Sequence, residues 1–554
     1  MGVLGGLVLL VALGIVGHKA YIRFEGDRLI RRAHLFLDAG DSKSAALTAG
    51  RAFQLNAANV EAARVLAAVG ERDGQDNAVS WRQQVVSLVP DSVEDFIALA
   101  KTALQFNQMG VAEGALNKVS SRAGELPAYH EVAAQLAAAK RDPATAEKEL
   151  AQSVKLAPAN KTYEFQLALL QLQSGSPEAR ERASVVLRRF LENAEWRAPA
   201  ARALRDDATQ RQNVPALIDY SSRLHGYPEA TFRDRLSYVQ VLRAVNDQQF
   251  AGKLTELQNE AAADPGKLTV LLSWMGGNSL AMLALDWIKR LPPEAITQRP
   301  VPAMVAECYV AAGDWDALAQ WCKKTNWGDL EFLRHAFLAR AARGHGEDFG
   351  VRSEWNAAIR AAGQNGNQIF ILEQAAAKWG WRTEAEDLLW ALGKNPEKQR
   401  AALALLNQLY TEKGQTADLY RVVSRLYEIN PGDEASQNNL AQLSLLLNVN
   451  ADLARTRAEQ LYKKHPENAA FASTYAFALY QKGQYQQAVK VMSPLKPEDL
   501  AEPGIAAYYG IFLAAAGERA KAGEYLEKGS KASLFPEEKT LVEKARKTIS
   551  GAQP

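Results

Sequence analysis

Cysteine is nearly absent from this chain of 554 residues; only Cys308 and Cys322 are present. Two thiols exclude a disulfide framework and a cysteine-rich metal site, and they read as an ordinary pair of buried thiols. An excess of charge is missing too. With 65 basic and 63 acidic residues the formal net charge is +2, which gives no broad electrostatic footprint for nucleic acid. The short signatures of common chemistries are absent: H-E-x-x-H, G-x-x-x-x-G-K-[ST], G-x-S-x-G, and a Rossmann fingerprint on a strand. The seven histidines are scattered. His335 and His345 read as a packing residue and a turn residue, and no metal pair is expected from them. The sequence therefore predicts no catalytic residue, no cofactor, no metal and no nucleic-acid partner.

What is present points to helix. Hydrophobic residues make up 47% and charged residues 23%, which is ordered protein. Ala and Leu abound while Val and Ile are modest. The N-terminus stands apart. Residues 1–17 carry no charge, His18 and Lys19 interrupt, and apolar character resumes through Ala20, Tyr21, Ile22 and Phe24. Residues 3–24 are long enough to span a bilayer. No basic residue precedes the run and no small-x-small cleavage site follows it, so residues 1–25 are expected to be an uncleaved transmembrane anchor. Lys19, Arg23, Arg28, Arg31 and Arg32 form a basic flank that would meet lipid headgroups. The chain is thus expected at a bacterial inner membrane, crossing once. The flanking charges favour a cytoplasmic body, whereas a start codon set too late would make it periplasmic. Both sides stay open.

Beyond the anchor the chain repeats. GQYQQAV (483–489) matches GERAKAG (517–523), GDWDALA (313–319), GWRTEAE (380–386), GQTADLY (414–420) and GDSKSAA (40–46). Each lies between two patterns of helix length. Units begin near Gly266, Arg299, Phe332, Gly366, Arg400, Glu434, Ala469 and Pro503, and earlier near Gly26, Val60, Phe96, Pro127 and Lys161. The eighth place of the unit is small (Ala33, Ala67, Ala103, Ala134, Ala168, Ala306, Ala339, Ala441, Ala476 and Gly510), which lets two helices approach closely. A second small residue follows twelve places later, as Ala45, Ala115, Ala146, Ala385, Ala488 and Ala522. The glycine between them suits a left-handed turn at a helix C-terminus. Proline ends the second helix, and a short polar residue offers the next cap in VPDS, APAN, NPGD and HPEN.

This pattern resembles the tetratricopeptide repeat, a helix–turn–helix unit of about 34 residues. Residues 469–502 show it best, with Tyr475-Ala476, Leu479, Gly483, Tyr485, Ala488 and Leu495. The family's first-helix tryptophan is replaced there by Ala472, and elsewhere by His130 and His335. The resemblance implies an all-α fold: a right-handed superhelical solenoid of about 15 units after one N-terminal transmembrane helix. Units are expected over 26–194 and 266–534, degenerate helical pairs over 195–265, and a capping helix and tail over 535–554.

The first helices of such units line an inner groove that binds protein segments. The resemblance places Ser473, Phe477, Tyr480, Ala507 and Ile511 on a mildly apolar strip suited to an extended peptide or a helix. It places Arg340, Arg343, Phe370, Gln374, Lys378 and Gln408 on a more polar, slightly basic stretch. The Lys/Asn set with which some family members grip a C-terminal carboxylate is not in register here. Nine of the eleven tryptophans lie between 274 and 390. They read as packing, except that Trp379 and Trp381 flank a turn glycine and at least one is expected to be exposed. The expected function is a membrane-tethered scaffold in a bacterial envelope complex, with no catalysis of its own. One alternative is an accessory factor for envelope polysaccharide or secretion assembly that touches glycan through these tryptophans. A second is an enzyme with a site hidden near 195–265.

Overall fold

The computed structural model describes residues 21–174 and 176–551. Among them every regular element is helical and no strand is present. The chain divides into two compact units, Met1–Asn259 and Glu260–Pro554.

Among the described residues the first unit holds seven successive helix–turn–helix pairs. Helix 21–38 pairs with Ser42–Leu55, then Val60–Arg72 with Asn77–Leu88, Val93–Gln105 with Met109–Ala123, Pro127–Ala139 with Pro143–Leu156, and Lys161–Ser174 with Pro177–Phe190. Residues 195–265, which the repeat pattern covers poorly, carry Arg197–Gln210, Val214–Gly226, Phe232–Ala244 and Phe250–Ala261. The second unit holds eight pairs, from Pro265–Gly277 with Ala281–Ile288 to Pro503–Ala515 with Arg519–Lys528. Helix Pro536–Ser550 then follows.

The local causes are those the sequence suggests. Asp41, Asn59, Ser92, Asp142 and Asn468 each accept a backbone N–H two or three residues on, which satisfies a donor at a helix start. The turns within pairs adopt positive φ at Gly40, Gly313, Gly380, Gly414, Gly483 and Gly517. Asn107, Arg141, Gln212, Asn246 and Asn448 take the same left-handed conformation without being glycine. The small residues mark the closest helix contacts. Ala33, Ala67, Ala339, Ala441 and Ala476 are completely buried. At Gly510 an added Cβ would lie 2.9 Å from the backbone nitrogen of Leu526.

The expected membrane placement requires correction. Among the described residues no helix is long and apolar enough to cross a membrane. Most of the apolar run, residues 1–20, lies outside the described residues. The described remainder does not end an anchor at residue 25: residues 21–38 form one helix, and its Leu29, Ile30 and Ala33 are buried against the following helices. The basic residues Arg28, Arg31 and Arg32 belong to that repeat helix, where Arg28 bonds Glu25 and Arg32 covers the Phe36 ring.

Candidate docking surface

In a stack of helical pairs the first helices share one face, and side chains from successive units converge on it. The two stretches expected to line that face behave differently.

The apolar strip of the last units is closed. Ser473, Phe477, Ala507 and Ile511 are all buried, and Tyr480 is half-buried. Three contacts explain the difference from the expectation. Ala507 faces Gly529 of its own unit, where an added Cβ would stand 2.6 Å from the Ala507 Cα. Ile511 belongs to the core of residues 441–545. Phe477 packs edge-on to Tyr508, ring centres 5.3 Å apart. The chain's own end completes the cover. Residues 531–535 and Glu538 form one wall of a 390 Å³ cavity whose other wall includes Ser473 and Phe477. Buried Glu538 accepts hydrogen bonds from the Tyr508 hydroxyl at 2.7 Å, the Gln442 amide at 3.3 Å and the Phe535 N–H at 2.9 Å. The Thr416 hydroxyl donates to Glu537 at 2.6 Å. Helix Pro536–Ser550 therefore does more than cap the last unit: its first turn returns to the pairs that begin at Gln399 and Glu434. Burial, and then the Glu538 carboxylate, push the Tyr508 hydroxyl well above its usual pKa, so it stays a donor.

The polar stretch stays open. Arg343, Phe370, Gln374, Lys378 and Gln408 are exposed, and Arg340 is half-buried. Phe370, Gln374 and Lys378 are spaced four apart and share one helix face. Lys398 lies 6.0 Å from the Phe370 ring centre, Gln374 donates to Glu373, and Gln408 donates to Glu412. Lys378 reaches back across a whole unit to Glu307, Nζ to Oε2 2.7 Å. Such a pair forms only where the helices curve towards one another. Four successive first helices thereby close round a cavity of 480 Å³, lined by Ser273, Gly277, Glu307, Arg340, Lys378 and Trp379 among others.

Neither Trp379 nor Trp381 is exposed, although at least one of them was expected to be. Trp381 is only 4% exposed. It packs edge-on to Trp355 at 5.3 Å and to Trp379 at 5.1 Å, and the Arg343 guanidinium lies 3.9 Å above its ring. Trp379 is half-buried against Phe337 at 5.6 Å. Flanking a turn did not expose them, because the turn glycine folds both rings back onto the neighbouring unit. No pair of open aromatic faces remains there for a sugar.

Residues 195–265 gather no strand-rich fold. Their most buried carboxylate, Asp234, closes the N-terminus of its own helix by accepting from Thr231, and it accepts from Arg202 at 2.7 Å. Burial raises its pKa, but the bonds from Arg202 and Thr231 overcome that and hold it at about 2. Cys308 and Cys322 are separate, buried thiols, both pushed up to about 12 by burial. His130 and His335 occupy the family's tryptophan place. Each bonds a glutamate of its pair's second helix, Glu149 and Glu354, at 2.6 Å. Sequence reading missed this repeated bridge, although the shared spacing of nineteen residues was available as a signal.

A family model described as tetratricopeptide repeat matches residues 445–507. Over those residues the chain carries tetratricopeptide-repeat sequence. The match runs from the end of helix Glu434–Leu446 into Pro503–Ala515, the region whose first-helix face the C-terminal segment covers. Among solved structures, the crystal structure of the APC/C hetero-tetramer Cut9-Hcn1 is similar at 12% identity and TM-score 0.29, covering 95% of this chain and 98% of that one. The structure of Naa15/Naa10 bound to HypK-THB is similar at 13% identity and TM-score 0.32, covering 97% and 94%. No curated protein sequence matches the chain.

Proposed function

We propose that this tetratricopeptide chain is a protein-interaction scaffold that works by binding alone, and that its docking face lies on the first helices of residues 331–413. Stacked repeats of this kind present extended surfaces and act by shape and side-chain complementarity. The observation that carries the reading is the contrast between the two stretches. The apolar strip of the last units is covered by the chain's own end, whereas Arg343, Phe370, Gln374, Lys378 and Gln408 remain exposed on consecutive units. An exposed phenylalanine among polar and basic side chains offers an anchor with a wet rim, the composition of a non-obligate interface.

Site-specific photocrosslinking in the native host tests this. A photoreactive residue at Gln374 or Gln408 should give discrete crosslinked protein species, and one at Arg457 on a second helix should not. Crosslinks from Arg457 alone, or from none of the three, contradict the reading.

A further inference from the structure

The cavity beneath the polar stretch contains a cation without a counter-ion. Arg340 and Lys378 line it, and Arg343 stands beside Arg340. Arg343 pairs with Glu384 at 2.7 Å and Lys378 with Glu307 at 2.7 Å. Arg340 is in none of the ion pairs among the described residues, and its Nε is buried with no hydrogen-bond partner. Three cations thus share two carboxylates, and one positive charge is left over.

Arg340 is also held in place. Its guanidinium lies 4.8 Å from the Trp315 ring centre and 6.0 Å from that of Trp381. Trp315 in turn is pressed onto Gly344, one turn along the helix that carries Arg340, where an added Cβ would lie 2.3 Å from the indole. Aromatic stacking fixes the plane of a guanidinium and leaves its edge to make paired hydrogen bonds. Burial, and then the nearby Arg343, lower the Arg340 pKa against an opposing pull from Glu307. The environment thus disfavours the charge that the cavity keeps.

We propose that this cavity binds a carboxylate side chain, Asp or Glu, carried by a docked protein segment, with Arg340 as its counter-ion. The proposal rests on the docking reading above and gives it a chemistry. A planar guanidinium edge matches a carboxylate in a two-point bond. The surplus is a single charge, which suits a monoanion better than a phosphate dianion. The 480 Å³ volume exceeds one acidic side chain and leaves room for the backbone that carries it. Gly277 lines the cavity, and a Cβ there would meet nothing within 4 Å, so that wall is open to a close approach. A purely structural Arg340, stacked to fill space, would have no preference for acidic ligands.

Selection of displayed random dodecapeptides on the full chain tests the proposal, followed by binding of one selected peptide and its Glu→Gln or Asp→Asn twin. The expected result is a consensus with one acidic position, and a loss of roughly ten- to a hundredfold in affinity for the neutral twin. Arg340→Met should erase that preference while the rest of the consensus survives, with its thermal melt recorded alongside. The peptide twin alone keeps the test valid if Arg340→Met does not fold. A consensus without an acidic position, or an acidic preference that persists in Arg340→Met, overturns the carboxylate site but leaves docking intact. No enrichment on the wild-type chain overturns both.

Discussion

The closure of the last units depends on one buried carboxylate, and Tyr508→Phe is the cleanest way to weaken it. The substitution removes a single hydroxyl from a side chain that is 5% exposed, and it creates no cavity. What is lost is the 2.7 Å bond to Glu538. A buried hydrogen bond to a charged group contributes about 1.5–3 kcal/mol. Glu538 keeps the Gln442 amide and the Phe535 N–H, so the loss should fall near the middle of that range. Repeat arrays also open locally, so a global midpoint dilutes the effect of a single bond at the chain end. Hydrogen exchange of helix Pro536–Ser550 reads the local opening directly. Its protection should fall between about tenfold and about a hundredfold, with helices of the first unit unchanged. Glu538→Gln in the same background should cost less than it does in the wild type, because the pair is already broken. The pH sign follows from the raised Tyr508 pKa. A folded value above the unfolded one means the stabilisation is fully present below about pH 10 and is lost as pH rises further. Unchanged exchange in Tyr508→Phe, or a chain end already unprotected in the wild type, would refute the closure.

Three further outcomes follow from named contacts. Gly529→Ala places a Cβ 2.6 Å from the Ala507 Cα, a backbone atom that cannot rotate away. It should destabilise the second unit by about 2–3 kcal/mol, read as a lower urea midpoint. Asp234 has a depressed pKa of about 2, so its contribution is present above about pH 4 and lost as pH falls towards 2. Urea unfolding at successive pH values should show that acid-side loss, and Asp234→Asn should flatten it. His130→Ala and His335→Ala should each loosen one pair, with faster exchange in Pro143–Leu156 and Asp348–Ala362 respectively, because each removes the bridge to Glu149 or Glu354.

The repeat was legible because it is local. A small residue, a turn and a capped helix recur at a fixed interval, and each needs only its immediate neighbours. Anchoring on glycine still missed turns such as Asn107 and Asn246, because asparagine also tolerates the left-handed conformation. The proposed docking face was only half legible. Helix spacing placed Phe370, Gln374 and Lys378 together, but it could not reveal that Lys378 meets Glu307, seventy-one residues earlier. Nor could it show that Glu537 meets Thr416 across one hundred and twenty-one residues. That return covers Ser473 and Phe477, and no periodic signal encodes it. The tryptophans misled for a related reason: position beside a turn sets where a ring starts, whereas the next unit decides where it packs.

One face is open and the other closed, and thiol accessibility measures this most directly. The native thiols are buried and pushed up to about 12, so they provide a silent background. Gln374→Cys and Ser473→Cys, each treated with a bulky maleimide on the folded full chain, give the comparison. Gln374→Cys should react at the rate of an exposed thiol, and Ser473→Cys roughly a hundredfold or more slowly. Equal rates would contradict this contrast.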